Sequence, residues 1–441
     1  MPVLGFALLA TLGATLLAGV FPALRTSRTE GSSGLTGSAR GTATRSSSVL
    51  SQSLVGLEVA LAVVVTVGSG LMLRSFDLLM SVDTGLDASD VLTFRANPPA
   101  GRYPDGEAFQ TYYNSLQERL DGLPGVSATG GINLLPGTNG KWSFPTHPEG
   151  VDAAQGSAVP SVNFRAVRPG YFETVEMPLE RGRLISSADR ADSENVLLVN
   201  EAFVKRFWPG EGPLGRTVSL FSATGTPSRV VGVVGDVRQH GRARAARAEM
   251  YFPHAQMPWD QMAMWMMVRF SDDDPLAHAG AVREAVWSVD ADVPITGLEE
   301  LDSVFGRSAQ TTAFLTLLLT YFGGLSLLLG ALGVFSITSY LVQRRAPEFG
   351  VRIALGSTRM QVLRSGLSKI LLPVAGGLAL GVGGGAVTAD ALTSVLYAIE
   401  PTAAAAFVGV TLVLGTAALL AALVPAWRAS RVDPVAVLNR E

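Results

Sequence analysis

Apolar residues are concentrated in five long runs along the chain. The runs cover residues 3–24, 55–73, 313–342, 370–389 and 401–427. Four of them contain no charged residue, and the second contains one, Glu58. Because a helix needs about 20 apolar residues to cross the hydrocarbon core of a bilayer, this pattern predicts five transmembrane helices. Buried core helices of a soluble protein are the alternative, which the length of these uncharged runs disfavours.

A signal peptide is a second interpretation of the first run. Such a peptide carries positive charge before its apolar stretch. Here residues 1–3 carry no charged side chain, whereas Arg25 and Arg28 follow the run. We therefore expect a membrane helix whose C-terminal end lies in the cytoplasm.

The short segments between the apolar runs are basic, and the long one is acidic. Residues 25–54 contain four basic residues and one acidic residue, residues 344–369 contain six and one, and residues 428–441 contain three and two. Residues 74–312 contain 21 basic and 30 acidic residues. Since short basic segments stay in the cytoplasm, the long acidic segment is predicted to lie outside it, with the N-terminus outside and the C-terminus inside.

The long external segment has similar patterns at its two ends. Each end combines an extended stretch, an amphipathic helix and a second extended stretch, and a β-rich section lies between them. The predicted strands and helices, in chain order, are 91–95, 107–120, an extended stretch from 126 onward, 195–199, 201–207, 229–237, 264–270, 275–289 and 294–296. The predicted fold is thus a membrane α-helical protein with a large extracytoplasmic α/β (α+β) domain between its second and third transmembrane helices.

Composition supports a membrane protein. Only 16% of the 441 residues are charged, whereas soluble proteins have about 25%, which argues against an ordinary cytoplasmic enzyme. The chain has no cysteine, which excludes disulfides, thiolate metal sites and cysteine catalysis. Its 34 basic and 37 acidic residues disfavour a generic nucleic-acid binder.

Searches for catalytic patterns find none. The chain has no phosphate-binding loop and no nucleophile elbow. The histidines, His147, His240, His254 and His278, lack metal-ligand spacing. Glu58 and Asp390 lie near helix ends, where water can reach them, and this favours an ordinary role over a functional one. We expect no enzyme activity, no cofactor and no metal.

Two stretches of the chain are similar to each other. Residues 21–28 and 424–431 share the pattern Pro-Ala-x-Arg-[Thr/Ala]-Ser-Arg after an apolar helix. The first helix therefore has the sequence expected of the last helix of a preceding copy of the unit at residues 50–441.

A second repeat lies within the fourth apolar run. Gly377, Gly381 and Gly385 recur every four residues, a spacing that lets two helix backbones approach closely.

The predicted domains follow from these patterns. A transmembrane helix at 1–24, the remnant of a preceding unit, is followed by a cytoplasmic linker at 25–54. The remaining segments are a transmembrane helix at 55–73, the external domain at 74–312, transmembrane helices at 313–343, 370–395 and 401–427, a cytoplasmic segment at 344–369 and a cytoplasmic tail at 428–441.

The cytoplasmic segment contains the most specific motif. Arg344 and Arg345 follow the third apolar run, Pro347 suits the first turn of a helix, and Gly356 suits its end. The pattern predicts a short helix at the membrane surface, then a helical stretch at 360–367 that leads into the next span.

This motif resembles the signature of FtsX/MacB-type permeases of ABC transporters, an arginine-rich run followed by E-[IF]-G-[IV]-R-x-A-L-G-[AS]. Glu348, Phe349, Gly350, Val351, Arg352, Ala354, Leu355, Gly356 and Ser357 occupy its positions. Residues 169–174, 181–183, 200–203, 207–210 and 213–216, and the tail at 425–434, are similar to other patterns of that family. The resemblance covers residues 50–441, and the extra first helix resembles the subgroup with a duplicated permease. Because the chain begins at the end of a first copy, we expect a fragment or a split form.

The resemblance implies a mechanical function. In this family an ABC ATPase, present as a separate subunit or domain, binds ATP, dimerises and moves the cytoplasmic helix of the permease. The motion passes to the external domain, which extrudes a substrate or activates an extracytoplasmic partner. The residues implied in coupling are Arg344, Arg345, Glu348, Gly350, Arg352, Ala354, Leu355 and Gly356.

The implied partners are the ATPase, membrane lipid and a second permease unit, either a homodimer or a companion half, in a bacterial inner membrane. Two alternative functions belong to other classes. A membrane-anchored sensor or ligand-binding module without an ATPase is the first, but an anchor needs only one span. A membrane enzyme is the second, and the missing catalytic patterns disfavour it.

Overall fold

The computed structural model describes residue 12 and residues 40–138, 140–151, 159–257, 262–272, 274–344, 348, 355, 357–391 and 404–429. The chain divides into two compact units. One combines Met1–Arg74 with Thr316–Glu441, and the other is Ser75–Leu315. We call them the membrane unit and the external domain.

Four long helices contain the candidate membrane spans. They are α1 (Arg40–Met80), α6 (Leu301–Arg344), α7 (Arg359–Ala391) and α8 (Ala404–Ala429). Their spans are Ser53–Met80, Ala309–Gln343, Leu371–Ala391 and Phe407–Pro425. These spans overlap the second to fifth predicted runs. The first predicted helix lies outside the described residues except for Leu12, which is helical.

Helices α1, α6 and α7 all continue well beyond their apolar runs. Helix α1 begins at Arg40, inside the segment predicted as a linker, and α7 is continuous from Arg359. Residues 42–54 contain no glycine or proline, so nothing in their backbone chemistry interrupts the helix. Apolar runs therefore indicate which part of a helix is in lipid, not where the helix ends.

Helix α1 is the central helix of the membrane unit. Half of its most apolar window is buried, against 17–22% in the other three spans. Val55, Val59, Val63, Val67 and Leu71 are buried and recur every four residues along its length. They pack in two clusters with residues of α6, α7 and α8, among them Val334, Val374, Ala418 and Leu414.

The external domain is built on one sheet of eleven strands. The strands are β1 (Val91–Ala96), β2 (Val126–Ile132), β3 (Ser143–Pro148), β4 (Ser161–Val167), β5 (Leu179–Gly182), β6 (Val196–Asn200), β7 (Thr217–Leu220), β8 (Pro227–Val234), β9 (Glu249–Pro253), β10 (Met264–Phe270) and β11 (Ile295–Glu300). Their order is β11-β1-β10-β2-β4-β3-β7-β8-β6-β9, with β5 beside β8 and a further β4–β9 pairing.

The two ends of the domain sequence form one module. Its strands run β11-β1-β10-β2, and β10 pairs antiparallel with both β1 and β2. Helices α2 (Gly106–Asp121) and α5 (Ala279–Val289) connect these strands and pack against each other. The sequence predicted two βαβ-like units, and the structure interleaves them as split β-α-β units.

The remaining strands form the insertion between those ends. Strand β2 joins it through one residue pair, Ile132 with Val167. The insertion also contains two short helices, α3 (Tyr171–Thr174) and α4 (Glu201–Phe207). Short 3-10 turns lie at His254–Gln256 and Pro275–His278, the second of which the sequence predicted as the start of a longer helix.

Capping and burial explain why the predicted helices form. Helix α2 begins where the Asp105 carboxylate accepts a hydrogen bond from the Ala108 amide at 2.8 Å, as an N-cap does. Its buried residues, Phe109, Tyr112, Tyr113, Leu116 and Leu120, form the apolar stripe that the sequence predicted. The Tyr113 hydroxyl donates to the Ala96 carbonyl at 2.7 Å and accepts from the Met264 amide at 2.8 Å, which joins α2 to β1 and β10.

A charged pair is buried in the middle of the sheet. Arg165 on β4 donates to Glu249 on β9 at 3.1 Å, and the two side chains are 2% and 1% exposed. Glu249 also accepts from Asn163 at 3.2 Å and from the Tyr251 hydroxyl at 2.9 Å. Because a buried charge is stable only when it is paired and hydrogen-bonded, these contacts hold β4 and β9 in register.

We expect Glu249→Leu to lower the free energy of unfolding of the external domain by about 3–5 kcal/mol, because it leaves Arg165 buried and unpaired. The double variant Arg165→Met/Glu249→Leu removes both charges and should recover part of the loss. Urea unfolding followed by tryptophan fluorescence measures this, since five of the six tryptophans lie in residues 75–315. Strictly additive losses would show that the pair contributes nothing as a pair.

His254 gives the domain a dependence on pH. Burial, together with the nearby Arg168 guanidinium, lowers the pKa of His254 to about 3 from 6.5. The ring is 4% exposed, and Gln110 lies 3.0 Å from its Nδ1 atom. The folded domain therefore holds this ring neutral, whereas the unfolded chain protonates it near pH 6.5. The contribution of this ring to the free energy of unfolding is complete above pH 6.5 and is lost as the pH falls towards 3.

We therefore expect a part of the acid destabilisation to come from His254, with a slope of up to about 1.4 kcal/mol per pH unit. His254→Gln should flatten the curve of unfolding free energy between pH 6 and pH 4. His278→Gln is the control, because that ring is partly exposed beside Asp272. Identical curves for the wild-type protein and His254→Gln would contradict the assignment.

Candidate functional site

The predicted glycine repeat of α7 lies against α1. A Cβ atom on Gly381 would be 2.5 Å from the Val63 Cβ and 2.9 Å from the Ala60 carbonyl oxygen. One on Gly377 would meet the Gly56 carbonyl and lie 3.0 Å from the Val59 Cβ. At Gly385 the nearest atoms are 3.3–3.5 Å away. The helices can approach this closely only because Gly377 and Gly381 have no side chain.

A second glycine seam, which the sequence alone did not reveal, joins α6 to α1. A Cβ atom on Gly323 would lie 2.6 Å from the Ser69 hydroxyl, and one on Gly330 would lie 3.6 Å from the Ala62 Cβ. A Cβ on Gly333 would overlap the Glu58 carboxylate. The Ser69 hydroxyl also donates to the Leu319 carbonyl.

Spacing was the available signal for this second seam. Gly323 and Gly330 are seven residues apart, as are Ala62 and Ser69, so small residues recur on one face of each helix. The two pairs lie more than 250 residues apart in the chain, so the sequence alone does not show that the two faces meet.

The two membrane carboxylates occupy different environments. Glu58 is half-buried and its carboxylate lies against the backbone of α6 at Gly333. Asp390 is exposed, one residue before the end of α7. Glu58 is thus a part of the α1–α6 seam.

The coupling residues are only partly placed. Arg344 is the last residue of α6, Glu348 is helical and exposed, and Leu355 lies in a turn and is 82% exposed. The others, Arg345, Gly350, Arg352, Ala354 and Gly356, lie outside the described residues. Their role in coupling stays a prediction.

Arg242 connects the segment with which the external domain begins to the segment with which it ends. Its guanidinium donates to the Met80 carbonyl at 3.0 Å, to the Val82 carbonyl at 3.3 Å and to the Asp302 carboxylate at 3.3 Å. Met80 is the last residue of α1 and Asp302 the second of α6. We call this arrangement the Arg242 clamp.

The loop that carries Arg242 is itself fixed by hydrogen bonds. The Arg238 amide donates to the Thr84 carbonyl at 2.9 Å, and the Arg238 guanidinium donates to the Arg242 carbonyl at 3.1 Å. Gly241 has a φ of 91°, a backbone conformation that glycine adopts without strain. Residues 238–247 contain four arginines and no acidic residue, and this basic run is the feature of the sequence that could have marked the loop.

The candidate chemistry of the histidines is limited by their positions. His254 is buried beside Gln110, and His278 lies 2.7 Å from Asp272. Among the residues that the structure describes, no group of three or more histidine, aspartate or glutamate side chains could hold a metal ion.

We expect Ala62→Cys/Gly330→Cys to form a disulfide, because the Cβ separation of 3.6 Å is within the 3.5–4.5 Å that a disulfide needs. The chain has no other cysteine, so free-thiol labelling before and after mild oxidation measures the bond. Val64→Cys/Gly330→Cys is the matched control, since Val64 contacts Gly384 of α7. Similar oxidation of both pairs would rule out the α1–α6 seam.

Two family models match the chain. Residues 59–285 match the MacB-like periplasmic core domain, and residues 320–434 match the FtsX-like permease C-terminal region. The match to the periplasmic core domain alone covers half of the chain. It includes most of the second predicted transmembrane helix and most of the external domain.

Individual proteins show the same similarity. The uncharacterized ABC transporter permease YknZ of Bacillus subtilis (strain 168) is 25% identical over 411 residues, which cover 90% of this chain and 97% of YknZ. The macrolide export ATP-binding/permease protein MacB of Aggregatibacter actinomycetemcomitans is 27% identical over 240 residues, 53% of this chain and 36% of that protein. The chain thus spans about a third of this MacB.

Solved structures of external regions also match, at low TM-scores. The periplasmic region of MacB from Actinobacillus actinomycetemcomitans covers 52% of this chain at 18% identity, with a TM-score of 0.34 and 97% of that region matched. The extracellular domain of YknZ covers 48% at 15% identity, with a TM-score of 0.30 and 97% of it matched. On the two family models, the chain belongs to the FtsX/MacB family of ABC transporter permeases.

Proposed function

We propose that this permease transmits the ATP-driven motion of an ABC ATPase, located in another subunit or domain, across a bacterial inner membrane to its external domain. The output is export of a substrate or activation of an extracytoplasmic partner. Membership in a permease family supports this function, and the comparisons do not favour a sensor without an ATPase.

The Arg242 clamp is the observation that carries the proposal. One guanidinium joins the end of α1, the start of α6 and the loop between β8 and β9. Any relative displacement of the two helix ends must therefore strain or break contacts with that loop. A domain that only binds a ligand has no need for such a connection.

Helix length supports the same function. Helix α6 has 44 residues, or about 66 Å at 1.5 Å per residue, whereas the hydrocarbon core of a bilayer is about 30 Å thick. It ends at Arg344, where the predicted coupling segment begins. The same helix thus includes a residue of the clamp and a residue implied in coupling.

The partners remain part of the proposal. The MacB relatives combine ATP-binding and permease regions in one protein by name, and this chain matches less than half of them. We propose that the ATPase docks on residues 344–356 and that a second permease unit completes the transporter. Arginine side chains of this segment suit carboxylates on the ATPase.

We expect Glu348→Ala and Gly350→Pro each to reduce stimulation of the ATPase by the permease, by between about five- and 150-fold, the usual range of coupling free energies. ATPase turnover in nanodiscs, with and without the permease, is the measurement. Glu284→Ala, an exposed glutamate on α5, is the control and should behave as wild type.

Two results would contradict parts of the proposal. Full stimulation by both coupling variants would show that this segment does not couple. Failure of any ABC ATPase to copurify with, or respond to, the wild-type permease would overturn the function itself.

A further inference from the structure

The loop between β8 and β9 carries a concentration of positive charge that the rest of the external domain does not share. Residues 74–312 contain 21 basic and 30 acidic residues, so the segment as a whole is acidic. Residues 238–247, which we call the arginine loop, contain four arginines and no acidic residue. A basic patch on an acidic domain indicates an anionic partner at that place.

Two of the four arginines use their donors inside the protein. Arg242 forms the clamp with the ends of α1 and α6. The Arg238 guanidinium donates to the carbonyl oxygens of Arg242 at 3.1 Å and of Arg244 at 3.3 Å. The Arg244 amide donates to the Gly241 carbonyl at 3.2 Å. These contacts fold the backbone of the loop around Arg238 and fix its position beside α1.

The other two arginines face away from the protein. The side chains of Arg244 and Arg247 are exposed, as are Ala243 and Ala245 beside them. In the part of the chain that the structure describes, neither arginine forms an ion pair with a carboxylate. Only small side chains lie next to the two guanidinium groups, so a broad surface can approach them. A guanidinium group binds the oxygens of a phosphate in bidentate fashion.

The arginine loop lies at the height of the lipid headgroups. The uncharged part of α1 ends at Leu73, and Met80 follows seven residues later, which is about 10 Å along the helix. The headgroup layer is about 5–8 Å thick on each side of a bilayer. Because Arg242 binds the Met80 carbonyl, the loop is held at the outer edge of that layer, where long arginine side chains reach the phosphates.

Exposed apolar side chains at the same height agree with this placement. Leu78 is 38% exposed and Met80 is 39% exposed, although both lie beyond the first charged residue after the apolar run, Arg74. Apolar side chains beside charged ones are favourable at a membrane interface, where each kind finds its own surroundings. Carboxylates of a second copy are the other partner that two arginines suit, but they do not account for this height.

We propose that the arginine loop is a binding site for anionic phospholipid on the extracytoplasmic face of the membrane. Arg244 and Arg247 bind the headgroup phosphates, and Arg238 and Arg242 hold the loop in position. Headgroups with net negative charge are preferred, because no ammonium group of the same lipid competes for the phosphate. This inference does not rest on the proposed function, and its test needs no ATPase.

Fluorescence quenching in the full-length protein tests this site. The chain has no cysteine, so Ala245→Cys places a single fluorophore at an exposed position between the two arginines. The labelled permease is reconstituted in phosphatidylcholine nanodiscs that contain a small fraction of spin-labelled phosphatidylglycerol or of spin-labelled phosphatidylcholine. Both probes carry the nitroxide on the same acyl-chain carbon, so they differ only in their headgroups.

We expect spin-labelled phosphatidylglycerol to quench more strongly than spin-labelled phosphatidylcholine. Each arginine near an anionic surface contributes about fivefold to binding, so Arg244→Gln/Arg247→Gln should reduce this preference by up to about 25-fold. Arg244→Lys/Arg247→Lys keeps both charges and should retain most of it. Arg95→Gln/Lys141→Gln is the matched control, because it removes two positive charges from exposed positions outside the loop, and it should quench as wild type does.

Three outcomes would overturn the proposal. Equal quenching of the wild-type loop by the two probes would show that the loop does not select anionic lipid. An undiminished preference in Arg244→Gln/Arg247→Gln would assign the preference to other residues. Unchanged quenching together with loss of permease dimers in that variant, as measured by native mass spectrometry, would assign the arginine loop to an acidic surface of a second copy.

Discussion

Close backbone contact of α1 with its neighbours is the constraint on which the membrane unit depends. Lipid tails are as apolar as leucine, so burial of leucine does not hold transmembrane helices together. Contact at van der Waals distance does, and it requires small residues where two helices meet. Gly377 and Gly381 supply them between α7 and α1, and Gly323 and Gly330 between α6 and α1. With one seam to α6 and another to α7, α1 can shift only if both of these contacts also adjust.

The external domain relies on polar contacts at two positions. The Arg165–Glu249 pair is buried inside the sheet and holds β4 beside β9. Arg242 is more accessible and binds backbone carbonyls at the end of α1. A buried ion pair is costly to break, whereas partly exposed hydrogen bonds are each worth about 1 kcal/mol. The contacts of the clamp are thus weaker than those of the domain interior, and under the proposed function they are the contacts that change.

Much of this fold could be predicted from local pattern. Strand β10 (Met264–Phe270) and helix α4 (Glu201–Phe207) have the predicted bounds, because a short apolar run and helix capping act over a few residues. Strands β3, β4, β5, β7 and β9 were not predicted. Strand β4 contains Asn163 and Arg165 among its buried residues, so its pattern is not that of an apolar strand. Its polar side chains are stable there only because Glu249, distant in sequence, pairs with them.

For the candidate site, the sequence by itself determined which segments and side chains are available to form it. Apolar runs indicated which segments can enter lipid, charge predicted their direction, and the motif at 348–357 carried the family resemblance. Only the tertiary structure decided which surfaces meet. The partners of Gly381, Gly330 and Arg242 are Val63, Ala62 and Met80, each more than 150 residues away. The physical reason is that the chemistry of a glycine or an arginine limits the kinds of contact that it can make. Which of these contacts forms depends on how the whole chain packs.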